Sequence, residues 1–183
     1  EMRMLNRGDI LLLFTDGLEE AKRNLRDSQF AIVDVTEEAI QNGTAPEGIT
    51  EALSGEEFSI ARIHAIVQAV KKRGQYVLTK LVDPEAPNDL VFDYSSLEGS
   101  VSDTVMAIVA AERVFRMYRD PSVGDGDRVR VDKAVDRFLQ AHFVQYQEMF
   151  GYREREFGEY VEYSHLKEDP QFDDITMMAI ERK

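Results

Sequence analysis

The chain contains no cysteine. Disulfide frameworks, thiolate metal sites and cysteine nucleophiles are therefore excluded, which suits a reducing compartment and makes a cytoplasmic location the expectation. Basic residues are scarce: 22 Lys and Arg stand against 35 Asp and Glu, for a formal net charge of −13. Phosphate-backbone binding needs clustered cations that displace counterions, so no nucleic-acid partner is expected. No apolar stretch approaches the roughly 20 residues needed to cross a bilayer and no signal-peptide pattern opens the sequence, so no membrane contact by this segment is expected. Internal repeats and low-complexity linkers are also lacking. The chain opens on Glu1 rather than an initiating methionine, and reads as a segment of something longer.

What is present suffices for a soluble globular core: 43% hydrophobic and 31% charged residues over 183 positions, with one domain the default. The carboxylate excess fits both a soluble surface and cation binding. Ile10 to Leu13 are four consecutive aliphatic residues, followed by Phe14 and bounded by Gly8 and Gly17. Such a run predicts a strand over 9–15 covered on both faces, with Asp16-Gly17 turning at its end. After a polar stretch, the apolar run Phe30 to Val35 predicts another strand. Thr36 is placed to cap a short helix through Asn42, which Gly43 stops. Ser54-Gly55-Glu56-Glu57 has capping-box spacing, and Phe58, Ile60, Ile63, Ile66, Val67 and Val70 follow at helical intervals. The basic cluster Lys71-Lys72-Arg73 suits the C-terminal end of that helix.

Residues 75–99 hold Pro84, Pro87 and Gly99 and predict loops and short extended pieces. Ser100 or Ser102 can cap a helix carrying Val105, Met106, Val109, Val114, Phe115 and Tyr118, ended by Asp120-Pro121. The string "GDGDRVRVD" at 124–132 lacks the glycine and glutamate positions of an EF-hand and reads as a turn with a helix N-cap. Val131, Val135, Phe138, Leu139, His142, Tyr146 and Met149 then predict one helix of about six turns stopping near Gly151. Residues 152–169 show neither period, and Glu154, Glu156, Glu159 and Glu162 read as a solvated acidic face. His64 and His142 lie within helical patterns and read as packed or half-exposed rather than as ligands. Phe172 to Ile180 predicts an acidic turn leading into a final strand. The expected fold is α/β in the α+β sense: a mainly antiparallel sheet with packed helices.

Two acidic points stand out, Asp16 at the exit of the first strand and Asp173-Asp174 at the entry of the last. Carboxylates on neighbouring strand ends can meet in space though far apart in sequence, and hard divalent cations take such oxygen ligands. Against this stands the plainer reading, that aspartates are common turn formers.

The string "GDILLLFTDGLEEA" at 8–21 resembles the Gly-Asp-strand-Thr-Asp-Gly-x-x-Glu-Ala segment of bacterial metal-dependent serine/threonine phosphatases of the sporulation stage II E and sigma-factor regulator type, a branch of the PP2C-like superfamily. "DDITMMAIER" at 173–182 resembles the strand that ends those domains. The matched strings cover about 25 residues, with a weaker similarity over the Glu57 to Val70 helix. The resemblance implies a PP2C-like β-sandwich in which Asp16 and Asp173 are metal ligands and Asp174 is a secondary one. Gly17 would give the tight turn, and Thr15, Glu20 and Thr176 would support the geometry. It implies two Mn²⁺ or Mg²⁺ ions that activate a water to attack the phosphorus of phosphoserine or phosphothreonine, with no catalytic residue beyond the metal ligands. The implied substrate is a phosphorylated regulatory protein.

Two departures from the family accompany the resemblance. Its first metal-binding Asp-Gly segment lies upstream of the Thr-Asp-Gly strand and has no counterpart here, which implies that this fragment alone is inactive. The gap between Asp16 and Asp173 is more than twice what the family usually bridges. The excess is expected to be a mostly helical insertion at 75–151, with 1–74 and 152–183 forming the phosphatase portion. Such an insertion could regulate the site or build a homodimer. The alternatives are a non-catalytic regulatory or dimerising module derived from such an enzyme, and a phospho-receiver-like module, whose early acidic pair is not matched here.

Overall fold

The computed structural model describes residues 6–27, 29–46, 49–79, 89–119, 128–151, 155–171 and 174–182. The aliphatic run forms β1 (Ile10–Phe14), followed by the single turn α1 (Asp16–Glu19) and the short β2 (Lys22–Arg23). Phe30 to Val35 is not a strand. Its ladder contacts are two isolated bridges, Arg26 with Ile32 and Val35 with Leu53, Phe30 takes a φ of 63°, and Ile32 is 60% exposed. The Asp27 carboxylate instead captures the backbone N–H groups of Gln29 and Ala31, a turn that competes with extended pairing. Thr36 does cap α2 (Glu37–Gln41), accepting from the Ala39 N–H at 3.2 Å, and Gly43 ends it with a φ of 67°.

The proposed capping box does not form. Glu56 and Glu57 make β3 (Glu56–Glu57), paired with β2, and the Glu56 carboxylate pairs with Arg62 on α3 (Ser59–Lys72), which starts with no side-chain cap. Gln75–Leu78 (β4) and Leu90–Asp93 (β5) pair antiparallel. Helix α4 (Val101–Arg116) carries the capping box instead: Ser100 accepts from the Asp103 N–H and the Asp103 carboxylate returns to the Ser100 N–H. It ends at Arg116, earlier than Asp120-Pro121 suggested, and the chain continues as β6 (Met117–Arg119); residues 120–127 lie outside the described ones.

The single long helix over 131–149 is also overturned. Val129 and Val131 alternate inward on β7 (Val129–Asp132). Asp132 caps α5 (Lys133–His142) through the Ala134 N–H at 2.7 Å. Phe143 leaves the helix to bridge Phe92, while the Val144 N–H bonds the Val91 carbonyl at 2.9 Å, and a new turn starts as α6 (Tyr146–Phe150). Competition from the edge of β5 thus breaks a pattern that helical period alone would continue. The region without a period folds as β8 (Arg155–Phe157), β9 (Tyr160–Tyr163) and β10 (Leu166–Glu168), and the chain closes on β11 (Met177–Glu181). Glu162 is not on a solvated face: it is 4% exposed and bonded to Arg130. Glu156 pairs with Lys133, and Glu154 lies outside the described residues.

The fold is α+β, and the strand pairs among the described residues are all antiparallel: β1 with β11, β2 with β3, β4 with β5, β6 with β10, and a sheet ordered β7-β9-β8. One core joins them. Ala107, Ile108, Ala110, Ala111, Val114 and Phe115 make α4 inaccessible over most of its length, and α4 packs on α3, α5 and β11. Phe115 meets Phe58 at 5.4 Å, and Phe92 joins Tyr76, Tyr94 and Phe143. The described residues of 75–151 therefore contribute four short strands and three helices to a core shared with the flanking segments. No helix among the described residues is long and apolar enough to cross a membrane.

Burial of tyrosines gives the core an alkaline limit. Desolvation first, with Glu56 adding and Arg62 opposing, pushes the Tyr76 phenol from 10.0 up to about 12; burial likewise raises Tyr94 and Tyr163. A phenol whose folded pKa is raised favours the neutral form, so its stabilisation is intact below about 10 and is lost as pH rises from there to about 12. For Tyr76 the loss is on the order of 2–3 kcal/mol. Circular dichroism followed together with tyrosinate absorbance should show unfolding within that window. Tyr76→Phe, which removes a hydroxyl lacking a hydrogen bond, should move the midpoint upward.

Candidate functional site

The site is built where β1 meets β11. Register runs from Ile10 opposite Glu181 to Phe14 opposite Met177, and the ladder continues one rung further through Thr15. Its N–H donates to the Thr176 carbonyl at 3.0 Å, its hydroxyl accepts from the Thr176 N–H at 3.1 Å, and that hydroxyl donates to the Asp174 carbonyl at 2.9 Å. A single threonine thus clasps the turn to the segment entering the last strand. The next residue opens α1, in which the Leu18 N–H bonds the Thr15 carbonyl at 3.1 Å and the Glu20 N–H the Asp16 carbonyl at 2.9 Å. Gly17 is buried beneath this turn, and its N–H donates to Asp16 Oδ1 at 3.0 Å.

Thr15, Asp16, Gly17, Asp174 and Thr176 are therefore brought together. Asp16, Asp174, Thr176 and Glu20 are exposed. Asp173 lies outside the described residues. Glu20 sits on a neighbouring cleft of about 200 Å³, shared with Gly17, Lys22, Glu57 and Gln171. The acidic side chains at the turn, Asp16 and Asp174, offer carboxylate oxygens, the donor type that hard cations such as Mg²⁺ and Mn²⁺ take. Among the described residues no group of three His, Asp or Glu side chains is arranged to hold a metal ion, and Asp16 and Asp174 make no ion pair. The histidines stand apart: His142 and His165 hydrogen-bond the carbonyls of Asp93 and Met149, and His64 is exposed on α3.

Sequence reading missed the support behind the turn. Gln171 reaches across to donate to the Gly17 carbonyl at 2.8 Å. Two residues before it, Asp169 is 1% exposed and accepts from the Asn24 N–H at 2.9 Å, Asn24 Nδ2 at 2.7 Å and Arg26. Arg26 in turn lies 3.8 Å from the centre of the Tyr118 ring, and Arg116 bonds both the N–H and the carbonyl of Asp169 through its own carbonyl and guanidinium. No local pattern marks these partners, which come from three distant segments. No family model matches the chain, and no curated protein or solved structure matches it.

If the clasp holds the turn, Thr15→Val removes two hydrogen bonds at an exposed position where water can replace them. The expected loss is about 1 kcal/mol in denaturant unfolding, and Thr15→Ser should restore most of it.

Proposed function

We propose that the chain is the C-terminal part of a metal-dependent phosphoprotein phosphatase that hydrolyses phosphoserine or phosphothreonine on a regulatory protein. The observation that carries the reading is the Thr15 clasp, since it brings the Thr-Asp-Gly turn against the Asp174 to Thr176 strand entry although 159 positions separate Thr15 from Asp174. Both strings of the family resemblance meet at one end of one strand pair. Asp16, Asp173 and Asp174 would hold the cation. A divalent cation such as Mn²⁺ or Mg²⁺ held there would supply Lewis-acid chemistry, activating a coordinated water and offsetting charge on the phosphoryl group.

The residues of this chain supply position. Thr15 fixes the backbone on either side of the acidic pair of strand ends, buried Gly17 lets the turn sit against the core, and Glu20 and Lys22 line the cleft beside it. The outward face of β1 and β11, Leu11, Leu13, Met178 and Ile180, is apolar and exposed, a composition that suits strands covered on both sides, as a sandwich would cover them. The second reading is a non-catalytic module with the same origin.

Release of phosphate from a phosphoserine peptide by the full-length protein separates the two. The rate should depend on Mn²⁺ or Mg²⁺ and fall by more than about a hundredfold in Asp16→Asn, beyond the ten- to hundredfold usual for residues that only orient metal ligands. Hydrolysis that ignores added metal, or that survives the substitution, would sink the phosphatase reading.

A further inference from the structure

Resting on that reading, we propose that Gln171 is a positioning residue for the metal-binding turn, held in place by the Asp169 clamp. Helix α1 ends at Glu19, so the Gly17 carbonyl is taken up from outside the helix, and Gln171 Nε2 supplies the bond at 2.8 Å. The amide cannot wander far. Asp169 is fixed on both sides of its backbone by Arg116, and its carboxylate takes donors from Asn24 and Arg26. Pro170 between them restricts φ.

The lever from clamp to turn is thus two residues long, and the clamp's anchor is the C-terminal end of α4. Through Arg116, the 75–151 stretch therefore does more than fill space beside the site: it holds Asp169, two residues before the Gln171 that bonds the Asp16 turn. Ligand carboxylates bind a cation well only when their carriers are already oriented, and outer partners that orient them typically change metal affinity ten- to hundredfold. Releasing the Gly17 carbonyl lets the turn sample other positions before the cation binds, which weakens binding while leaving the core packed.

Direct substitution of Asp169 would remove the buried carboxylate partner of Arg26 and Asn24 and put the fold itself at risk, so the informative variant is Gln171→Met, similar in length but without the N–H. Mn²⁺ binding to the full-length protein is followed by the electron paramagnetic resonance signal of free and bound ion, with wild type and Asp16→Asn alongside. The dissociation constant should rise about tenfold in Gln171→Met, with an unchanged circular dichroism spectrum and a thermal midpoint lowered only as far as one lost hydrogen bond requires. Equal affinity in Gln171→Met and wild type, with binding still lost in Asp16→Asn, overturns the positioning role and leaves the metal site standing. Binding that does not depend on Asp16 overturns both.

Discussion

Pairing of the first strand with the last is the constraint on which the arrangement depends. Five consecutive rungs join β1 to β11, and Thr15 adds a sixth with its backbone and hydroxyl together. Closing a loop of this length costs little more than closing one half as long, because the entropy grows only with the logarithm of length. The strand pair can therefore tolerate a long intervening segment, provided that segment folds against it. It does so through α4, which rests on β11 and on α3 at once.

That shared packing changes the meaning of the 75–151 stretch. An inserted lobe with its own core could move as a unit and leave the strand pair untouched. Here Phe115 of α4 packs at a tilt against Phe58 at the start of α3, Arg62 lies over the Phe115 ring, and β6 pairs with β10 directly before Asp169. Displacing α4 would expose rings that are fully buried, a loss of several kcal/mol for each one. This stretch and the strand pair that carries the Asp16 turn therefore pack into one core.

How much was legible in the sequence divides along physical lines. Ile10–Phe14, the helix after Phe58, Thr36 as a cap and the strand from Met177 were readable because apolar period and cap chemistry act within a few residues. The helix across Phe143 failed because a long-range competitor, the free edge of β5, outbid local periodicity. Phe30 to Val35 failed because Asp27 closes a turn that hydrophobicity does not reveal. At the site, the two acidic strings were visible as motifs, whereas Gln171 and the Asp169 clamp were not. Their partners Gly17, Asn24, Arg26 and Arg116 are assembled only by the fold, and nothing within reach of either residue along the chain announces them.

The distribution of charge partners bears on what the exposed aspartates are for. Basic residues are outnumbered in this chain, 22 against 35, so each cation placed beside a carboxylate is withheld from another. The buried acids receive partners: Asp169 has Arg26, Glu112 has Arg116, Glu162 has Arg130, and Asp136 takes the hydroxyls of Tyr146 and Tyr163. Such pairing is what burial demands, since an unpaired carboxylate in the core costs several kcal/mol. Asp16 and Asp174 lie at the end of the strand pair, close together along the backbone and with no arginine or lysine paired to either among the described residues. Exposed carboxylates need no such partner, because water solvates them, and Lys22 in the adjoining cleft approaches Ser54. Among the described residues, a cation at the proposed site would therefore have no internal ion pair of Asp16 or Asp174 to displace.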